Sequence, residues 1–183
     1  MKNSLDAITP QQLEAEGNTT YQQGDFSKAA ASFAAAQESY IIMGDELKSA
    51  EMANNRCVVL LQADEPQAAL ESVEGTIDVF RQAEDDRRHA MALGNRASAL
   101  EALGKFDEAI TDYQESADLL KKIGADDLRM DVAKSLSALQ LKTGRSLEAL
   151  ATMQAGVAGV KKPDLKQRLL KRLLTLPGRL IGR

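Results

Sequence analysis

Leu93-Gly-Asn-Arg-Ala-Ser-Ala-Leu-Glu-Ala-Leu-Gly-Lys-Phe-Asp-Glu-Ala-Ile-Thr-Asp-Tyr113 reads as the end of one helix, a turn at Gly104 and the start of another. An apolar stripe at helical spacing runs up to the turn. Gly104 stands just past it, where a left-handed backbone is cheap only for glycine. The same frame returns along the chain. Gly24-Asp-Phe-Ser-Lys-Ala29, Asp64-Glu-Pro-Gln-Ala-Ala69, Gly104-Lys-Phe-Asp-Glu-Ala109 and Gly144-Arg-Ser-Leu-Glu-Ala149 begin 40 residues apart each time. Phe33, Val73, Tyr113 and Met153 keep that register, and Gly44, Glu84 and Gly124 mark a second set of turns.

A unit of two helices follows from this spacing. The small residues Ala29, Ala69, Ala109 and Ala149 let the helices of a pair approach closely. The larger set at Phe33 fills the gap between neighbouring pairs. One pair alone cannot cover its apolar faces, whereas four stacked pairs bury a continuous core. The pattern predicts helices at about 10–23, 26–43, 46–62, 66–82, 86–103, 106–123, 126–143, 146–160 and 163–175. Pro66 falls at an early helical position, where its missing N–H does no harm. Abundant Ala and sparse Val and Ile favour helix over strand.

At these residues the sequence resembles the tetratricopeptide-repeat family over roughly residues 10–160. The stretch from Leu93 to Tyr113 matches the family's small–large–Gly–Ala–aromatic order, and Gly17 supplies the small residue of the first repeat. The usual repeat is about 34 residues. Forty implies longer helices, similar to the kinesin light chain and G-protein-signalling modulator types. The resemblance implies an all-α, right-handed α-solenoid of four helix pairs at about 10–43, 46–83, 86–123 and 126–160. These make up residues 1–160, followed at 161–183 by a basic amphipathic capping helix and tail.

By the same resemblance, the first helix of each pair lines a concave groove that takes an extended peptide or a helix of a partner. An asparagine amide offers both donor and acceptor, so it pairs with a peptide unit whatever the side chain. Asn55 and Asn95 are the leading candidates to hold a peptide backbone. Asn54, Asn18, Ser98, Ser135 and Lys134 come next. The alternative is that these side chains hydrogen-bond between neighbouring helices or face water. Arg56 and Arg96 recur one residue on, where the family usually has an apolar residue. Their stems lie along the core, or they pair with Glu16 or acids of an adjacent helix, or they anchor a partner's carboxylate.

The net charge of −4 is unevenly divided. Residues 161–183 hold eight basic residues and one acid, Asp164, which gives the tail +7 and leaves −11 on the rest. Leu165, Leu169, Leu173 and Leu176 share one side of a helix there, opposite Arg168, Lys171 and Arg172, with Lys166 near the edge. A cap explains the leucines and not the charge. Lys166, Arg168, Lys171, Arg172 and Arg179 are therefore candidate contacts for an acidic partner, an anionic membrane or the acidic body of this or another copy. Nucleic acid is a poor fit, because no aromatic platform exists and the acidic body repels phosphate.

No catalytic constellation is present, so no enzyme and no cofactor is expected. Cys57 is the only cysteine and His89 the only histidine. Cys57 reads as a buried inert thiol and His89 as a solvated helix residue. The acidic clusters at 84–86 and 126–127 suit helix starts and require no metal. The first ten residues lack the apolar core of a secretion signal. The expectation is a cytoplasmic scaffold or adaptor. The alternative is a membrane-peripheral assembly factor attached through the tail. Homo-oligomerisation would use the end repeats or that tail.

Overall fold

The computed structural model describes residues 8–159 and Arg168. Within them the chain forms α1 Pro10–Gln22, α2 Phe26–Ile42, α3 Glu46–Gln62, α4 Pro66–Val73, α5 Thr76–Gln82, α6 Asp86–Ala102, α7 Phe106–Lys122, α8 Asp126–Lys142 and α9 Ser146–Gly159. No strand occurs among the described residues. Neighbouring helices pack as pairs, α1 on α2, α3 on α4 and α5, α6 on α7, and α8 on α9. The architecture is an all-α solenoid of stacked helix pairs. Apart from Arg168, the helix expected at 163–175 lies outside the described residues.

The turns explain the 20-residue rhythm. A left-handed residue recurs at Gly24, Gly44, Asp64, Glu84, Gly104, Gly124 and Gly144, with φ between 55° and 80°. Each turn closes in the same way. At the first, Gly24 N–H donates to Tyr21 O and Asp25 N–H to Thr20 O, which satisfies two orphan helix carbonyls. Asp25 then caps α2 by accepting from Lys28 N–H, and Asp45 and Asp85 do the same for α3 and α6. Pro66 stands at the start of α4. Among the described residues only Asp64 and Glu84 adopt this conformation without being glycine. A left-handed non-glycine residue costs roughly 1–2 kcal/mol, partly offset by the backbone entropy that glycine loses. Glu84→Gly is therefore expected to stabilise the chain by about 0.5–1 kcal/mol, read as a rise of about 2–3 °C in melting temperature.

Packing follows the repeat. Ala29, Ala69, Ala109 and Ala149 are all buried, as are Phe33, Val73 and Tyr113. A Cβ on Gly17 would stand 2.9 Å from the Phe33 ring, so only glycine lets that ring lie against α1. Cys57, Ala97 and Ser137 hold the same register and are buried as well. The core is a chain of clusters, each shared between adjacent pairs. Phe33 and Tyr40 join Met52 and Val59. Leu60, Val73, Ile77 and Phe80 join Ala92 and Leu93, and Leu100, Ile110 and Tyr113 join Leu136 and Leu139.

One expected helix is broken. The pattern predicts a single helix over 66–82, yet Glu74 is extended at φ −59° and ψ 132° and Gly75 is left-handed at φ +81°. The cause is local. Gly75 and the β-branched Thr76 and Ile77 replace the good helix formers found 40 residues away on either side, Ala35 and Ala36 in one repeat and Glu115 in the other. The Thr76 hydroxyl donates to Val73 O at 2.8 Å and relieves a carbonyl freed by the break. Both halves stay docked, because Val73, Ile77 and Phe80 remain buried.

Candidate functional site

The first helices α3, α6 and α8 place the predicted residues along one face. Met91, Gly94, Asn95 and Ser98 of α6 line a depression with Leu128, Asp131, Val132 and Ser135 of α8. Asn55 lines the neighbouring depression with Glu51, Asn54, Arg88 and Met91. Asn55 and Asn95 are half-buried, while Asn18, Lys134 and Ser135 are exposed. Asn54 turns inward and is buried. The Asn95 amide donates to Asn54 Oδ1 at 3.0 Å, so two of the candidate asparagines hold each other across α3 and α6.

The neighbouring hydroxyls are tied to the core. The Ser98 hydroxyl bonds Gly94 O at 3.0 Å and lies 2.9 Å from the Tyr113 hydroxyl. Burial pushes the Tyr113 pKa above its usual 10, so the phenol stays neutral at physiological pH. Lys134 pairs with Asp131 at 2.8 Å on its own helix.

A charge ladder that the sequence reading did not pick out flanks this face. Lys48 lies 3.8 Å from Glu14 and 3.2 Å from Glu51, and Arg88 lies 3.3 Å from Glu51 and 2.8 Å from Asp85. It links α1, α3 and α6. The signal was present, since Lys48 and Arg88 share a register 40 residues apart. Each exposed pair is worth about 0–1 kcal/mol, so the ladder shapes the local field more than it stabilises the fold.

The two repeating arginines part company. Arg96 grips Asp112 of α7 with both arms of its fork, Nε at 2.6 Å and a terminal nitrogen at 2.7 Å. Asp112 is buried, and the hydrogen bond to it raises the Arg96 pKa further. In the preceding repeat the position of Asp112 is Ser72, whose hydroxyl donates instead to Ala53 O at 2.8 Å. Arg56 Nε is accordingly buried without a hydrogen-bond partner. Glu16, an alternative partner in the sequence reading, pairs with Lys28 at 2.9 Å.

Cys57 is fully buried, and burial pushes its thiol up to about 12, which leaves it protonated and unreactive at neutral pH. His89 departs from expectation. It is 5% exposed, with Nε2 lacking a hydrogen bond and standing 4.0 Å from Glu115. Its register, shared with Ser49 and Arg129, faces the second helices, which a single polar residue near a helix start does not reveal. Among the described residues no cluster of His, Cys, Asp and Glu could hold a metal ion, and no helix is long and apolar enough to cross a membrane. Of the tail candidates, Lys166, Lys171, Arg172 and Arg179 lie outside the described residues, and Arg168 is exposed.

Comparison with known proteins agrees with the fold. Tetratricopeptide-repeat models match residues 48–122, 88–162 and 14–78. The protein unc-45 homolog B of Xenopus tropicalis is 32% identical over 113 residues, covering 62% of this chain and 11% of that protein. The Xenopus laevis homolog B is 34% identical over the same length and coverage. The outer dynein arm-docking complex subunit 4 of Xenopus laevis is 28% identical over 171 residues, covering 84% of this chain and 30% of that protein. The chain thus spans between a tenth and a third of the length of these curated relatives. With its repeating turns, its stacked helix pairs and these matches, the chain belongs to the tetratricopeptide-repeat family, an array of protein-interaction repeats.

Proposed function

We propose that this scaffold holds an extended segment of a partner protein along the face of α3, α6 and α8. Asn55 and Asn95 hold the partner's backbone. Ser98, Ser135 and Lys134 stand beside them, and Asn18 of α1 extends the row. Asn54 works from behind by orienting Asn95. The supporting observation is the Asn95–Asn54 hydrogen bond. It consumes one donor of Asn95 and fixes its amide, leaving Oδ1 to accept a peptide N–H, while Asn55 keeps both donor and acceptor.

The test uses peptides selected from a random library on the wild-type chain. Asn55→Ala is expected to weaken a selected peptide about three- to tenfold, the worth of one hydrogen bond, at unchanged melting temperature. Asn95→Ala should weaken it similarly and also lower stability by about 1 kcal/mol, because buried Asn54 loses its donor. Full affinity in both variants would rule the asparagines out as peptide contacts.

A second mode of attachment draws on the +7 charge of residues 161–183, which suits an anionic membrane or an acidic protein. Flotation with anionic vesicles at low salt, lost in a chain ending at Lys161, is the expected result for the membrane case. The proposed setting is the cytoplasm, with four repeats at 1–160 followed at 161–183 by the basic amphipathic helix and tail.

A further inference from the structure

Arg129 opens α8 in the register of Ser49 and His89, one turn into the first helix of its pair. It is a poor place to leave a guanidinium. The residue is only 8% exposed and its Nε is enclosed without a partner. Among the described residues its one ionic contact is Asp126 on the same helix, 3.4 Å from a terminal nitrogen. That carboxylate balances charge from the side and leaves Nε unbonded. A buried guanidinium with an empty donor is costly, since burial removes the water that would otherwise satisfy it.

The side chain also borders open space. Arg129 lines a cavity of about 380 Å³ between the second helices α7 and α9, together with Gln114, Asp118, Lys121, Thr152 and Ala155. This side of α8 is not the proposed peptide face. α8 contributes Leu128, Asp131, Val132 and Ser135 to that face, and Arg129, Ala133 and Leu136 to this cavity.

The preceding repeat indicates what is missing. His89, at the position of Arg129, is met by Glu115 on its paired helix at 4.0 Å. Forty residues on, the position of Glu115 is Ala155. At this register the repeat exchanges an imidazole for a guanidinium and loses the acid, and small side chains leave the room that a carboxylate would take. We infer that the α7–α9 cleft is a carboxylate-binding site, in which the Arg129 fork, assisted by Lys121, receives an acidic side chain of a bound polypeptide. Arg is the residue suited to this, because its planar fork matches a carboxylate in two parallel bonds. Asp118 at the cavity edge and Asp126 beside Arg129 oppose a second negative charge, so the site fits one carboxylate and not an acidic run.

The experiment follows the Arg129 side-chain Nε–H signal by NMR in the full chain. The probes are the blocked peptide acetyl-Gly-Glu-Gly-amide and, separately, sodium glutarate. The expected result is a saturable shift of that signal with the peptide, at a concentration at least tenfold below that needed for glutarate. The shift should be lost in Ala155→Glu, which supplies the carboxylate in cis and should also raise the melting temperature. Arg129→Lys should keep a cation and lose most of the affinity. Glutarate binding as well as the peptide would make the occupant a free acid and overturn the polypeptide source. No shift with either probe, or an Ala155→Glu variant that melts lower and still binds peptide, would overturn the site itself. Because these residues lie off the α3–α6–α8 face, failure here leaves the asparagine reading standing, and the reverse also holds.

Discussion

Phe80→Ala is expected to lower the stability of the chain by about 3–5 kcal/mol, a fall of about 10 °C in melting temperature. α5 has only seven residues, too few to be stable by itself, so it exists through what it buries. Phe80 is 1% exposed and packs in one cluster with Leu60, Val73, Ile77 and Leu93. The walls of that cluster come from α3, α4 and α6, each fixed by its own contacts, so they cannot close over the space a ring leaves. The cost should appear first in α5. Hydrogen exchange of Thr76–Gln82 is expected to accelerate before that of α4, since the left-handed Gly75 already separates the two. A loss under 1 kcal/mol would mean that α5 contributes little to holding the second and third pairs together.

Arg96→Met is expected to cost about 2–3 kcal/mol, the second-largest effect. Asp112 is buried and accepts two bonds from this one side chain. Removing the cation leaves a carboxylate enclosed without its counter-charge, a loss of about 3–5 kcal/mol for a fully buried pair. The Arg96 side chain is 37% exposed, so water can reach part of the vacated space, and the lower figure follows. The double variant Arg96→Met/Asp112→Leu should recover most of the loss, because two apolar groups leave no unpaired charge. Arg56→Met, in the same register with no partner for its Nε, is expected to be near neutral. Equal losses at Arg56 and Arg96 would show that the Asp112 pairing is not the source of the effect.

Much of the fold was legible because the turns carry it. A left-handed residue every 20 positions demands glycine or a tolerant substitute, and that requirement survives in a single sequence. Helix ends consequently fall within one residue of expectation at α1, α2, α3 and α6 to α8, and α9 begins at Ser146 as expected. The break at Glu74–Gly75 has a signal, a glycine followed by two β-branched residues, but the 40-residue register favours one continuous helix there. The site was only partly legible. Residues 54 and 55 lie 100° apart on α3, so the pattern identifies the pair without saying which one turns inward. The Arg96–Asp112 contact joins two helices, and its absence at Arg56 depends on Ser72, which no local rule reveals. His89 and Arg129 look like solvated residues near helix starts until the second helices are packed against them.

The central claim is that a partner lies along the first helices. The most direct measurement is amide chemical-shift mapping of the wild-type chain with a library-selected peptide. The largest changes are expected to cluster at Asn55, Asn95, Ser98 and Ser135, with little change along the outer sides of α7 and α9. Changes confined to α7 and α9, or to residues beyond 160, with Asn55 and Asn95 unmoved, would contradict it.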